Sequence, residues 1–336
     1  MFRFLIIQTA FTGDVVLATA IAEKLHAHYP GAQIDFLLRK GNEGLLAKHP
    51  YITEVLVWDK SNNKNRNLLR LSMMVRRANY THVINVHRFA TSGIITMLSG
   101  AAYRAGFDKN PLSFSFTRKL PHLIGKPGDA HTAHEVYRNQ QLIADITDTV
   151  PAMPALYPTA TDYKHVAPYQ TMPYVCIAPT SVWFTKQFAA DKWTELIDEL
   201  PEYYNLYLIG APADKMAVQQ IIDKATRTHV QNLCGKLNFL QSAALMKGAA
   251  MNYTNDSAPL HFATAMDAPV TAVFCSTVPE FGFGPLRTNG RVVQTAEKLS
   301  CRPCGLHGHK SCPEQHFKCA YGITNEQLLW WTSKKI

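Results

Sequence analysis

The sequence predicts an α/β protein made of two Rossmann-like, doubly wound domains facing a central cleft. Three observations carry this expectation. Apolar runs of strand length alternate with helical patterns, as in a parallel sheet covered on both faces. The alternation halts at a proline-rich stretch, with Pro151, Pro154, Pro158, Pro168 and Pro173, and then starts again. The length, 336 residues, is too great for one ordinary core and suits two. The first domain is expected over residues 1–155 and the second over 170–325, with 156–169 as linker and 326–336 as a C-terminal helix.

In the first half, Phe2–Ile7, Ile34–Leu38, Val55–Trp58 and His82–Val86 read as strands. Helical patterns over Val15–His28, Glu43–Lys48 and Asn67–Arg77 separate them. Residues Gly106 to Asp129 are rich in Gly, Pro, Phe and basic side chains and read as a long loop, followed by a helix over Ala133–Asp145. In the second half, Tyr174–Ala178, Leu206–Ile209, Met251–Thr254 and Val270–Phe274 read as strands. Helices are expected over Asp191–Leu200, with Asp191 as N-cap, and over Lys215–Thr226, Leu237–Lys247 and His261–Met266.

The informative loops follow strands. Gln8-Thr9-Ala10-Phe11-Thr12-Gly13-Asp14 joins the first strand to the first helix. Thr254-Asn255-Asp256-Ser257-Ala258 does the same far downstream. Each reads as a strand, a tight turn and a helix N-terminus with one carboxylate. Backbone N–H groups at a helix start suit anions such as phosphate, and ligands of open α/β sheets bind at the C-terminal ends of strands. A third loop, Ala178-Pro179-Thr180-Ser181-Val182-Trp183-Phe184-Thr185-Lys186, offers the hydroxyls of Thr180, Ser181 and Thr185 and the charge of Lys186. A leaving nucleoside diphosphate gains negative charge in the transition state and needs such a cation. These loops point to an enzyme acting on a phosphorylated sugar. The G-x-G-x-x-G dinucleotide fingerprint and the G-x-x-x-x-G-K-[ST] pattern are absent, which argues against hydride transfer and nucleotide hydrolysis.

Charge separates the halves. Residues 1–150 hold 18 Lys and Arg against 11 Asp and Glu, so +7 of the net +9 lies there. The first half is therefore expected to meet an anionic partner. Gly13 and the basic Arg104, Arg118 and Lys119 are the acceptor-side candidates, and an amphipathic basic helix lies within 62–77. No secretory pattern opens the chain and no apolar run reaches membrane-spanning length, so a cytoplasmic protein, peripheral where it meets the inner face of the membrane, is expected. Net charge and cysteines together also admit a zinc-bearing nucleic-acid-binding protein. No reader module or aromatic-interleaved basic stripe supports it, so no nucleic-acid partner is expected. Cys301, Cys304, Cys312 and Cys319 carry a C-x-x-C arm plus two further thiols, the ligand types of a structural zinc or a set of reduced thiols in a loop.

Three stretches resemble the ADP-heptose–lipopolysaccharide heptosyltransferases of glycosyltransferase family 9. They are Gly13-Asp14-Val15-Val16-Leu17-Ala18-Thr19, Ala178-Pro179-Thr180-Ser181 through Lys186-Gln187-Phe188, and Asn255-Asp256-Ser257-Ala258-Pro259-Leu260-His261-Phe262-Ala263-Thr264-Ala265. The resemblance implies a GT-B fold and inverting transfer of a sugar, a heptose, from an ADP-sugar to a lipid A-linked lipopolysaccharide core acceptor, with no essential metal. It implies Asp14 as general base and Lys186 as the group that stabilises the diphosphate. Asp256, with the backbone at Ser257 and Ala258, would hold the donor, and Thr180 and Ser181 would line the same pocket. A monomer is expected. A nucleotide-sugar enzyme of another type, such as an epimerase, is the alternative that shares the second-half pocket.

Overall fold

A computed structural model describes residues 2–61, 63–129 and 133–332. It divides into two compact units, 1–124 with 133–157, and 125–132 with 158–336.

The first unit holds β1 (Arg3–Ile7), α1 (Thr12–His28), β2 (Gln33–Arg39), β3 (Glu54–Trp58), α2 (Lys64–Arg77), β4 (His82–Asn85), α3 (Ala90–Leu98), β5 (Tyr103–Phe107), β6 (Arg118–Leu120) and α4 (Glu135–Gln141). Its sheet has the order β3-β2-β1-β4-β5-β6, and every pairing is parallel. The order reverses direction between β1 and β4, so the crevice at their C-terminal ends is where such a sheet takes its ligand. Leu5, Ile7, Leu37, Trp58, Leu68, Leu71, Val75, Val83 and Ile95 form the core on one face, where α2 and α3 pack. α2 buries Leu68, Leu71 and Val75 and turns Leu69, Met73 and Met74 outward beside Arg66, Arg70 and Arg77.

The second unit holds α5 (Ala160–Val166), β7 (Tyr174–Ala178), α6 (Ala190–Glu199), β8 (Asn205–Leu208), α7 (Lys215–Lys224), β9 (Val230–Asn232), α8 (Phe239–Gly248), β10 (Met251–Asn255), α9 (Ala258–Ala265), β11 (Val270–Phe274), β12 (Gly290–Gln294), α10 (Lys318–Tyr321) and α11 (Asn325–Leu328). The sheet order β12-β11-β10-β7-β8-β9 repeats the first, again all parallel, with its reversal between β7 and β10. β7, β10 and β11 are buried along their whole length, which explains why β7 and β11 read as nearly unbroken apolar runs, while β10 buries Asn252, Thr254 and Asn255 as well. Trp193 of α6 is fully buried in this core, and its loss would cost roughly 3–5 kcal/mol.

The structure departs from the sequence reading at several elements. Gly106 to Asp129 is not wholly loop, since β6 lies within it and Gly106 itself sits in β5. Glu43–Lys48 is only a short 3-10 turn, Glu43–Leu45. Part of the expected linker forms α5, which packs on α8. Asp191 lies inside α6, and Ala189 is its N-cap. At the C-terminus α11 is a single turn, and 333–336 lie outside the described residues. Among the described residues no helix is long and apolar enough to cross a membrane.

Candidate active site

In the second unit the loops after β7 and β10 bring Lys186 and Asp256 together across 70 residues of sequence. Lys186 ends a 3-10 turn, Phe184–Lys186, held over the sheet because the Phe188 backbone N–H donates to Asn255 Oδ1 at 2.8 Å. Its Nζ lies 2.6 Å from Asp256 Oδ2, and both side chains are largely buried, 15% and 7% exposed. The Thr277 hydroxyl, after β11, donates to the same oxygen at 2.7 Å. An ammonium has three donors, and Asp256 takes one. The carboxylate therefore fixes the direction of a cation at the ligand edge of the sheet.

Asn255 ties the loops further, donating to the carbonyls of Ala178 and Thr180 at 3.4 Å each. The Ser181 carbonyl accepts from Gln187 Nε2 at 2.7 Å. Thr185 is buried, and its hydroxyl accepts from the His309 N–H at 2.8 Å, so this hydroxyl braces the loop. Ser257 has the extended backbone of an N-cap for α9, but its hydroxyl makes no cap hydrogen bond and lies 3.4 Å from the Asn255 carbonyl. Ala258 is the first residue of α9, with proline following in its first turn. The segment after β12 closes the back of this site. Arg302 donates to the carbonyls of Cys275 and Thr277 at 2.6 and 2.7 Å and to Gln294 Oε1 at 2.7 Å. Burial lowers the pKa of this guanidinium.

In the first unit Asp14 is the third residue of α1, and its Oδ2 accepts the Phe11 N–H at 3.1 Å. Gly13 is buried one residue earlier. The Thr12 hydroxyl donates to Asn42 Oδ1 at 2.9 Å, fixing the helix start to the loop after β2. Lys60, after β3, donates to the Thr9 carbonyl at 2.8 Å and lies over the Trp58 ring. The buried His87, after β4, lies 3.0 Å from the Thr9 hydroxyl. Burial, with the charges of Lys60 and Arg88, pushes its pKa down to about 3. His87 is thus neutral at ordinary pH, and positive charge surrounds it.

The basic residues expected at the acceptor side sit near the starts of β5 and β6. Arg104, second residue of β5, donates to the Ser115 carbonyl at 2.9 Å and to the Ala101 carbonyl. Arg118 opens β6 and pairs with Asp145 at 3.1 Å. Both sit toward the N-terminal ends of their strands, and Lys119 is exposed next to Arg118. None of the three stands in the loops that follow the strand C-termini, where Asp14, Lys60 and Arg88 stand.

The family model "Glycosyltransferase family 9 (heptosyltransferase)" matches residues 68–317. The chain belongs to glycosyltransferase family 9. It is similar to lipopolysaccharide heptosyltransferase 3 of Escherichia coli, 26% identical over 80% of this chain and 82% of that protein. It is also similar to lipopolysaccharide heptosyltransferase 1 of Pseudomonas aeruginosa, 24% identical over 98% of this chain and 94% of that one. The crystal structure of E. coli ADP-heptose lipopolysaccharide heptosyltransferase II covers 99% of this chain and 98% of its own, with a TM-score of 0.79 and 19% identity, which shows the GT-B fold.

Within this family 9 chain, sequence reasoning missed Asn255, Thr277 and Arg302 as parts of the second-unit site, and Lys60, His87 and Arg88 in the first. Asn255 was visible as a polar residue in a buried strand. Lys60, His87, Arg88 and Thr277 follow strands that were read, but single residues after a strand carry no pattern, and Arg302 lies in a segment read only for its cysteines. The cysteines expected to hold zinc line one cavity of about 260 Å³ with His309, Glu314 and His316. Among the described residues no three His, Cys, Asp or Glu side chains are grouped to hold a metal, and all seven cysteines are unbridged thiols. Cys304 Sγ donates to the Cys301 carbonyl, Cys301 Sγ lies 3.9 Å from His316 Nε2, and Cys319 is buried in α10. The expected zinc site is therefore not shown among the described residues.

Proposed function

We propose that this family 9 chain transfers a heptose from ADP-heptose to an anionic, lipid A-linked lipopolysaccharide core acceptor, with inversion at the sugar carbon. The observation that carries the reading is the Lys186–Asp256 pair at the reversal point of the second sheet. Lys186 would supply the positive charge that a departing diphosphate requires, held in place before the reaction so that little reorganisation is needed. Asp256, the backbone at Ser257 and Ala258, and the Thr180 and Ser181 loop would hold the donor, while Thr185 holds the loop itself.

Asp14 would take the proton from the acceptor hydroxyl as the new bond forms. A hydroxyl is a poor nucleophile, and a placed carboxylate base contributes typically 10²–10⁴-fold. The relatives' names support the substrate class: they are lipopolysaccharide heptosyltransferases, and the structural relative is named for ADP-heptose. Acceptor recognition belongs in this reading to the first unit, which carries the excess of positive charge. The protein would act as a monomer at the inner face of the cytoplasmic membrane. Retention on vesicles containing anionic lipid supports that location, and retention equal to that on neutral vesicles counts against it.

A thermal-shift panel of ADP-heptose and the corresponding GDP- and UDP-sugars tests the donor. Stabilisation by ADP-heptose above the others is expected, since a ligand that binds only the folded state raises its melting temperature. Equal or absent responses to all three overturn the donor assignment.

A further inference from the structure

The C-terminal edge of the first sheet carries cations that its own carboxylates do not neutralise. Among the described residues Arg39, Lys60 and Arg88 make no ion pair: Arg39 lies over the Phe11 ring, Lys60 donates to the Thr9 carbonyl, and Arg88 has a single hydrogen bond. That bond is to His122 Nδ1, at 3.3 Å. Arg88 is half-buried, and the chain on both sides of it is clamped, because Asn110 Nδ2 donates to the His87 and Phe89 carbonyls at 3.2 and 3.0 Å. An added Cβ at Gly93 would stand 2.3 Å from Asn110 Oδ1, so the glycine makes room for the clamp.

Behind Arg88 runs a buried polar chain. His122, Glu135 and Arg138 are 5%, 6% and 6% exposed. His122 Nε2 lies 3.2 Å from Glu135 Oε2, and Arg138 donates to the same oxygen through Nε at 2.9 Å and Nη2 at 2.7 Å. Burial acts to raise the Glu135 pKa, but the His122 hydrogen bond and the Arg138 charge outweigh it and bring it to about 2. A guanidinium can only donate, so Nδ1 of His122 accepts from Arg88 and its proton sits on Nε2, directed at the carboxylate. The Phe107 ring, edge-on at 4.6 Å, holds the imidazole plane. The hydrogen bonds therefore run in one sense, from Arg88 through His122 to an ionised Glu135. A buried network of this kind costs desolvation and is stable only when every member is satisfied. Here it ends on its one partly exposed member, beside the reversal point of the sheet and next to the loop of Asp14.

We propose that Arg88 binds a carboxylate or phosphate group of the acceptor, and that His122 and Glu135 are positioning residues that aim its guanidinium. This rests on the reading of the first unit as the acceptor unit. An arginine suits the task because its planar fork meets an oxyanion through two parallel N–H groups, provided its orientation is fixed beforehand.

The test uses the full chain, saturating ADP-heptose and a varied, delipidated core oligosaccharide that carries its anionic groups. Arg88→Ala should raise the acceptor KM about ten- to hundredfold, the value of one or two charged hydrogen bonds, with the donor KM unchanged. His122→Gln, which can reach Glu135 but offers no acceptor at the Nδ1 position, should raise the acceptor KM severalfold with kcat retained. His122→Asn, whose Oδ1 stands near the Nδ1 position, should restore most of it. In the Arg88→Ala background His122→Gln should have no further effect, because coupled residues are non-additive. Phosphatase-treated and carboxyl-reduced oligosaccharides separate the two anions: the one that abolishes the effect of Arg88→Ala names the group. An unchanged acceptor KM in Arg88→Ala, full additivity of the two variants, or an effect that survives both treatments overturns the proposal. If the unmodified protein transfers nothing, the heptosyltransfer reading fails instead, and calorimetric titration of the same oligosaccharide still reads whether Arg88 binds it.

Discussion

At the residue scale, neighbours decide the behaviour of a few charged groups. Asp14 reads from sequence as a carboxylate at a helix start, and the family resemblance implies a base. The structure places it third in α1, reaching back to the Phe11 N–H, so part of its carboxylate serves the helix start. Lys186 and Asp256 were legible as separate polar residues in loops after strands, but their pairing was not, because it depends on which strands lie side by side. His87 was invisible to sequence reasoning, since a lone histidine after a strand carries no pattern. Its environment gives a clear pH signature. Burial and nearby cations lower its folded pKa to about 3, from an ordinary 6.5. Below 6.5 the unfolded chain takes up a proton that the folded chain refuses, so stability falls as pH drops through that range. Burial also lowers the His82 pKa, which adds the same sign. The Glu135 carboxylate, ordinarily near 4.5 and held at about 2, adds a separate loss only below pH 4.5. Melting temperatures between pH 6.5 and 4.5 should therefore fall in the unmodified protein and fall less in His87→Gln. Parallel slopes in the two would show that His87 does not carry the effect.

At the element scale, strands with apolar runs were the readable ones, including the half-exposed edge strand β3. β1, β2, β4, β7 and β11 announce themselves as largely apolar runs. β5, β6, β9 and β12 were missed for a physical reason: β6 and β9 are three-residue strands at sheet edges, β12 is an edge strand, and none of the four carries an apolar run of strand length. α5 was hidden by flanking prolines, though Thr159 and Asp162 form a capping box that marks its start. The segment after β12 was read for its cysteines, whereas its structural contribution lies in backbone and glycine. Gly308 adopts φ +76°, and a Cβ there would stand 2.7 Å from Thr185 Oγ1, 3.0 Å from Ser276 Oγ and 3.2 Å from Lys186 Cγ. Gly308→Ala must therefore displace the Thr185–Lys186 turn or strain its own backbone. It should weaken ADP-heptose binding about tenfold while the acceptor KM stays constant, as measured by titration of each substrate. A variant with unchanged donor affinity would detach this segment from the donor site.

At the scale of the whole molecule, one sheet order occurs twice, and in each unit the candidate groups flank the point where that order reverses. The repeated fold was legible because two runs of alternation flank a proline-rich break. The proposed division of labour has only a charge imbalance behind it in the sequence, +7 of +9 in residues 1–150. Sequence pointed to Arg104 and Arg118 for the acceptor, but these brace carbonyls and Asp145, because a guanidinium near a strand start finds loop carbonyls before it finds a ligand. The cations at the strand ends, Lys60 and Arg88, follow β3 and β4 and became visible only with the topology. In the function proposed for this family 9 chain, donor chemistry belongs to the second unit and proton removal to the first. Single-turnover transfer from ADP-heptose, measured beside ADP-heptose affinity in Asp14→Asn and Lys186→Ala, tests that assignment most directly. Asp14→Asn is expected to bind donor as the unmodified protein does and to transfer about 10²–10⁴-fold more slowly, and Lys186→Ala to lose both donor affinity and rate. Undiminished transfer by Asp14→Asn, or unaltered donor binding and rate in Lys186→Ala, would contradict it.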